Sequence, residues 1–293
     1  MPPMVGGIFY EHGHRMIATF VGFLIVVLAI WLWKAESRRW VKTLGLIALL
    51  AVILQGVLGG LTVLFLLPTP ISVSHAALAQ SFFCLVTSIA LFTSPWWQEN
   101  NLLLDKRKGH KLFLVGLAMT AFIFAQLIIG AIMRHTQSGL AVPDFPLAYG
   151  SLIPALDQGA IERYNRILLD ADIRIAADGP INAFQVFVHL AHRFWAVAVV
   201  AFAVYTVIAF KRLSDDRRLK LLSTGILVLV LVQSAVGALT VLTRKHDLVA
   251  TAHVAIGALT LVTSVLLTLH VAKLAGIRWK RPAPSHVATE AMA

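Results

Sequence analysis

The chain has 293 residues, of which 58% are apolar and only 13% are charged, and its mean hydropathy is +0.81. This composition excludes a soluble globular domain and predicts an all-α integral membrane protein. The formal net charge of +11 does not indicate a nucleic-acid partner, because the basic residues cluster in alternate short loops between apolar segments.

Seven apolar segments are long enough to cross a bilayer as helices. They are predicted at 14–33, 43–67, 71–94, 112–133, 185–210, 221–243 and 249–272. The loops rich in lysine and arginine should face the cytoplasm, and they lie within 34–42, 106–111, 211–220 and 273–281. This orientation in a cell (inner) membrane places the C-terminus in the cytoplasm and the long segment 134–184 outside.

The rare polar residues of the chain repeat at one constant offset. Residues 11–91 align with 189–269 without a gap, so that His14 meets His192 and His75 meets His253 (192 − 14 = 253 − 75 = 178). The same offset pairs Arg15 with Arg193, Gln55 with Gln233, Gly59 with Gly237 and Thr62 with Thr240. The chain is therefore interpreted as an internal duplication.

The repeat predicts two tandem four-helix bundles, the first of which lacks its first helix. The counterparts of 112–188 would lie almost wholly before residue 1. Either the first helix has been lost through a mis-set start or a fragment, or this version works with seven helices. Truncation is the favoured expectation, since an outward-starting first span lacks one wall of its bundle.

The predicted domain organisation follows from these spans. It comprises an N-terminal half-bundle (1–94), a cytoplasmic linker (95–111), a C-terminal four-helix bundle that includes the outer loop 134–184 (112–273), and a tail expected to be disordered (274–293). Within the loop, 161–170 has the periodicity of a short amphipathic helix. That helix could lie on the membrane, cap the sites or be a solvated connector.

A glutamine and a glycine four residues apart recur three times. A glycine on a helix face allows close approach of another backbone or a flat ligand, and the amide can bond across helices. Helix packing and direct contact with a bound ring both remain open for these pairs, which are Gln55 with Gly59, Gln126 with Gly130 and Gln233 with Gly237.

The four duplicated histidines point to haem iron. A single histidine in an apolar helix can be a core residue, but four in register are harder to explain in that way. Two histidines from different helices of a bundle can approach one iron from opposite faces. Arg15 and Arg193 follow such histidines directly, and they either pair with haem propionates or anchor the helices at the interface. The lone cysteine, Cys84, is interpreted as packing.

The two copies differ at one position, where Glu11 of the first copy aligns with His189 of the second. A carboxylate three residues before a ligand lies on the same helix face and could take or relay protons. The alternative is a helix-start carboxylate favoured by the helix dipole. One half thus has the features of a reacting site and the other those of a resident cofactor site.

These residues resemble the haem A synthase family of the respiratory chain across nearly the whole chain. The motifs that carry the resemblance are Glu-His-Gly-His-Arg at 11–15, Gln-Gly-Val-Leu-Gly-Gly at 55–60, Ser-His at 74–75, Arg-His-Thr-Gln-Ser-Gly-Leu-Ala-Val-Pro-Asp-Phe-Pro at 134–146, His-Leu-Ala-His-Arg at 189–193 and Thr-Ala-His at 251–253. The family has eight helices, one more than this sequence predicts. It often has cysteines where this chain has Val142 and Ala148, so a disulfide-based role is not expected here.

The resemblance implies a function and a set of site residues. Haem b would be held between His192 and His253, haem O would bind as substrate between His14 and His75, and Glu11 matches the family's essential acid. The implied reaction oxidises the ring methyl of haem O, by successive hydroxylations and loss of water, to the formyl group of haem A.

The partners implied by the resemblance are haem O, haem A, the lipid bilayer, haem O synthase and cytochrome oxidase assembly factors, and an oligomer is left open. A dihaem b cytochrome that only transfers electrons is the alternative, although it gives Glu11 no evident purpose. A transporter built on a repeat is disfavoured, because both copies keep ligand-type residues and the sequence shows no broken helix at the midplane.

Overall fold

The computed structural model describes residues 7–66, 68–99, 104–173 and 179–277, with the side chains of 7–11 excepted. Its helices are α1 (Gly7–Ala35), α2 (Arg39–Leu64), α3 (Thr69–Thr93), α4 (Pro95–Glu99), α5 (Lys106–His135), α6 (Gln158–Asp170), α7 (Ala183–Leu213), α8 (Arg217–Leu242) and α9 (Asp247–Leu274). Seven of these described helices are long and apolar enough to cross a membrane. The predicted all-α class and the seven spans are confirmed.

Helix ends differ from the prediction where local capping decides them. Helix α5 begins at Lys106, before the predicted residue 112, because the Asp105 side chain accepts a hydrogen bond from the Lys108 backbone N–H and caps the helix. Helix α2 ends at Leu64 rather than at 67, because Leu66 adopts a left-handed φ of 56°. Hydropathy alone does not register either feature.

Four helices form a closed bundle at the C-terminal side. Helix α5 packs on α7 and α9, and α8 packs on the same two helices, so α7 and α9 stand at opposite corners. Small residues let α5 and α9 approach closely, because a β-carbon added at Gly116 would stand 2.8 Å from Thr268 Oγ1. Met119, Phe210 and Leu261 are among the buried side chains of this core.

The N-terminal helices form an open row. Helix α1 packs on α2, α2 packs on α3, and α3 packs in turn on α5 and α9. A smaller core that includes Ile25, Val41 and Ile89 joins the first three helices. Large apolar side chains of α1 such as Phe20 and Phe23 remain exposed, as expected for a helix that faces lipid.

The outer segment after α5 is folded onto the start of α7. Ala160, Tyr164 and Leu168 on one face of α6 are buried against the loop and the first turns of α7. Tyr149 of the loop stacks on Tyr164 with ring centroids 3.7 Å apart. The segment is therefore a packed cap on the bundle, not a solvated connector.

The turn between α1 and α2 contains an ion pair that also reaches α3. Arg38 donates from Nη2 to Glu36 Oε2 at 2.6 Å and from Nη1 to the Phe92 carbonyl at 3.0 Å. The Arg38 guanidinium lowers the pKa of Glu36 from its usual 4.5 to about 2. The turn thus depends on an ionised Glu36.

Acid should weaken this turn selectively. Because the folded pKa of Glu36 lies below its unfolded value, its stabilisation is complete above about pH 4.5 and is lost as the pH falls towards 2. Glu36→Gln should therefore lower the free energy of unfolding in detergent by up to about 1 kcal/mol at pH 7, and by progressively less in acid. The exposed Glu99→Gln is the matched control. A Glu36→Gln effect that stays constant from pH 7 to pH 3 would contradict the assignment.

Candidate functional site

Two of the four predicted ligands face one another inside the closed bundle. His192 of α7 and His253 of α9 have ring centroids 6.4 Å apart, with the ring planes inclined at 67°. Two imidazoles that bound one metal ion at about 2 Å each would have ring centroids about 6 Å apart. The spacing of this pair suits a single iron between them.

His192 lies against the glutamine–glycine pair of α5. Gln126 Nε2 donates to the His192 carbonyl at 3.1 Å and stands 3.3 Å from the ring Nε2. A β-carbon added at Gly130 would stand 3.1 Å from His192 Cε1. The glycine therefore makes room for the imidazole, and the amide contacts both ring and backbone of the same residue.

The other two glutamine–glycine pairs hold histidines in the same way. Gln233 Nε2 lies 3.4 Å from His253 Nε2, and a β-carbon added at Gly237 would stand 2.9 Å from His253 Cε1. In the first copy, Gln55 Nε2 lies 3.3 Å from the ring Nε2 of His75, and a β-carbon added at Gly59 would stand 3.2 Å from its Cε1. Each pair thus packs helices through an imidazole.

The held imidazoles keep an unused nitrogen. The Nδ1 atoms of His75, His192 and His253 are shielded from solvent and have no hydrogen-bond partner among the described residues. A buried polar atom without a partner is costly in a purely structural role. Neutral glutamine amides, and not charged groups, lie against these imidazoles. A neutral imidazole with one free ring nitrogen is suited to bind a metal ion.

His14 is placed differently from the other three ligands. It is exposed on α1, and it lies within electrostatic reach of His75. Among the described residues no glutamine–glycine pair lies against it. The first-copy pair is therefore half enclosed, whereas the second-copy pair is enclosed on both sides.

The side chain of Glu11 lies outside the described residues, but its counterpart is well placed. His189 is 2% exposed, and its Nδ1 lies 3.0 Å from the Ser138 carbonyl in the short 3-10 turn Ser138–Leu140. In the second copy, His189 therefore anchors the start of the loop 134–184 to α7. Sequence reasoning missed this contact because no local pattern links residues 51 positions apart.

Arg193 also holds the outer loop. Its guanidinium donates to the carbonyls of Leu147 at 2.9 Å, Val142 at 3.1 Å and Asp144 at 2.7 Å. These hydrogen bonds fix the guanidinium against the loop, and the propionate contact and the interfacial anchor both stay predictions for Arg193. Arg15 of the first copy lies exposed on α1.

The positions where the family often has cysteine are apolar contacts in this chain. Val142 is fully buried and Ala148 is 2% exposed, both in the core under the outer loop. Packing and the Arg193 hydrogen bonds hold the loop in place. Cys84 packs at the edge of the bundle core, in agreement with its interpretation as filler.

Within the described ranges, no cluster of three or more histidine, cysteine or acidic side chains could hold a metal ion by itself. A haem needs only two protein ligands, because the porphyrin supplies the other four. The histidine pairs are therefore suited to haem iron and not to a protein-only metal centre.

Comparisons with known proteins identify the family of this chain. The family model described as "Cytochrome oxidase assembly protein" matches residues 6–265. The chain belongs to this family. It is 31% identical over 266 residues to a protein of Halalkalibacterium halodurans named "Heme A synthase", an alignment covering 88% of this chain and 76% of that relative. Proteins with the same name from Alkalihalophilus pseudofirmus (28% over 147 residues, 50% and 49% covered) and Geobacillus kaustophilus (25% over 251 residues, 83% and 69% covered) are also similar.

Proposed function

We propose that this chain is a haem A synthase, which oxidises the ring methyl of haem O to the formyl group of haem A for cytochrome oxidase assembly. His192 and His253 would hold a resident haem b, and His14 and His75 would hold the substrate haem O. Glu11 would act as the acid or base beside the substrate. The family membership and the relatives named "Heme A synthase" support this activity.

The observation that carries the proposal is the unequal chemistry of the two halves. His189 is buried and contacts the Ser138 carbonyl, so the second half has an imidazole, and not an acid, at this position. The first half has a carboxylate, Glu11, at the equivalent position. A cytochrome that only transfers electrons gives no reason for this difference, whereas an enzyme with one reacting site does.

The C-terminal residues fit a bound haem b. The two imidazoles approach from opposite corners of a closed bundle, and each has a buried nitrogen without a hydrogen-bond partner in the described part of the chain. A haem held by two imidazoles supplies one-electron transfer. The glutamine–glycine pairs orient the rings, and the bundle core around them excludes water.

The first half suits a ligand that exchanges. Helix α1 packs on α2 and carries an exposed His14 and exposed apolar side chains. A prenylated haem is lipid-soluble and would enter from the side of such an open row. His14 and His75 would hold its iron, and Glu11 would take or deliver protons at the reacting edge.

Pigment extraction tests the function directly. Haem O or haem A extracted beside haem b from the purified protein would support the enzyme. Haem b alone would favour the dihaem cytochrome, for which the two histidine pairs suffice. No haem at all would overturn both functions.

The orientation follows from the charge of the loops. The chain is a multi-pass membrane protein, and we place its basic loops and its C-terminus in the cytoplasm by the positive-inside rule. The haem sites would then lie towards the outer face of the cell (inner) membrane.

Enlarging the glycine behind His253 should disturb the haem site. The β-carbon of Gly237→Ala would stand 2.9 Å from His253 Cε1, so the ring must move. Overpacking of this kind costs about 1–3 kcal/mol, and we expect haem b to bind about tenfold or more weakly, with a perturbed absorption spectrum.

Gly225→Ala on the same helix is the matched control, because nothing lies within 4 Å of a β-carbon added there. It should retain the spectrum and the affinity of the parent protein. An unchanged haem spectrum and affinity in Gly237→Ala would show that His253 does not bind iron from its observed position.

A further inference from the structure

Two cations stand at the end of the C-terminal bundle where α7 and α9 begin. Arg134 lies in the last turn of α5, and Lys245 lies in the turn between α8 and α9. Among the described residues neither has a carboxylate within ion-pair distance. Lys245 is half-buried, and burial together with the charge of Arg134 lowers the pKa of its ammonium group. Arg134 is exposed beside it, and two neighbouring cations favour an anion between them.

Arg134 stands about one turn, and Lys245 about two turns, beyond a glycine that contacts a predicted ligand histidine. Arg134 follows Gly130 by four residues on α5, which is a rise of about 6 Å along the same helix face. The backbone N–H of Lys245 donates to the Thr240 carbonyl at 2.7 Å, and Thr240 follows Gly237 by three residues. An anion held here would lie just outward of the His192–His253 pair.

The position of Lys245 is held by its surroundings. Its φ is 63°, and that of Arg244 is 53°, a left-handed conformation that non-glycine residues keep only when the structure imposes it. The Lys245 stem lies against the 3-10 turn, with its Cδ 3.2 Å from where a β-carbon of Gly139 would stand. The ammonium group is therefore presented from a defined site.

The first copy shares the left-handed residue at this place but not the charge. By the offset of 178, Arg244 aligns with Leu66, whose φ of 56° is nearly the same, and Lys245 aligns with Leu67 (244 − 66 = 245 − 67 = 178). The turn can evidently form without a cation. We therefore assign Lys245 to a function that the second half has and the first half lacks.

We propose that Arg134 and Lys245 form a carboxylate-binding site that holds the propionates of the haem b between His192 and His253. This inference rests on the proposed function. The guanidinium of Arg193 donates to loop carbonyls. Arg134 and Lys245 therefore supply the positive charge that faces the propionate carboxylates. At the position of Lys245 the first copy has Leu67, and this difference separates a haem that stays from one that must leave as product.

Apoprotein prepared from haem-limited cells tests the site with two probes, haem b and haem b dimethyl ester, each titrated by its Soret absorption. The parent protein should bind haem b about tenfold to a hundredfold more tightly than the ester, because only the free acid makes charge-assisted hydrogen bonds. Lys245→Met and Arg134→Gln should weaken haem b binding and leave ester binding unchanged, so that the preference falls towards one.

Arg244→Met is the matched control, since Arg244 is exposed in the same left-handed turn. It should keep the full preference, and Lys245→Arg should restore part of it. Equal binding of acid and ester by the parent protein would overturn the inference and assign the cations to another anion, such as a lipid phosphate. A parent protein that binds neither probe would overturn the proposed haem site itself.

Discussion

Replacing His192 or His253 by alanine is expected to abolish the resident haem b spectrum. The two rings stand 6.4 Å apart across the closed bundle, and one imidazole cannot hold a low-spin six-coordinate iron. Purified His192→Ala and His253→Ala should therefore show no bis-imidazole absorption bands and should retain less than about a tenth of the parent haem, measured per mole of protein.

The control for this experiment is His110→Ala, an exposed histidine near the other end of α5. It should leave the spectrum unchanged. His14→Ala and His75→Ala should spare the resident haem spectrum and stop formation of haem A, because they belong to the other half. An unchanged bis-imidazole spectrum in His192→Ala or His253→Ala would remove the C-terminal haem site from this account.

Glu11→Gln is expected to stop turnover without emptying the sites. The amide keeps the size and hydrogen bonding of glutamate but removes its charge and basic site. General acid–base catalysis contributes roughly 10²–10⁴-fold to a rate, so conversion of haem O to haem A should fall by about that factor. Pigment analysis of cells that supply haem O measures both the conversion and the retained haem.

Two comparisons sharpen that experiment. Glu11→Asp should recover part of the activity, since it restores a carboxylate at a shorter reach. Haem content should stay close to that of the parent protein in both variants. If Glu11→Gln converted haem O at the parent rate, the carboxylate would have no role in the reaction and would only be a residue at the start of the helix.

Glu11 and His189 are aligned by the offset of 178 but carry different side chains. In the second copy the imidazole is buried and holds the Ser138 carbonyl, and Arg193 beside it holds three more carbonyls of the same loop. The second half has therefore turned residues near its ligands into anchors for a packed cap. On the proposed function, the first half has kept a titratable group where the substrate reacts.

The sequence by itself determined the class of protein and the candidate ligands. Seven apolar segments predicted seven spans, because a lipid environment leaves a helix as the way to satisfy the backbone of each segment. The constant offset of 178 singled out His14, His75, His192 and His253, since polar residues inside apolar helices are rare enough for coincidence to be noticed.

Only the tertiary structure decided how those residues are supported. The sequence left helix packing and contact with a bound ring both open for the three glutamine–glycine pairs, and the structure shows each pair against a histidine. The Ser138 contact of His189 and the carbonyl contacts of Arg193 join positions about fifty residues apart. Hydropathy and periodicity describe only residues that are neighbours along one helix. The contacts between distant positions depend on which helices pack together and on how far each helix is shifted along its axis.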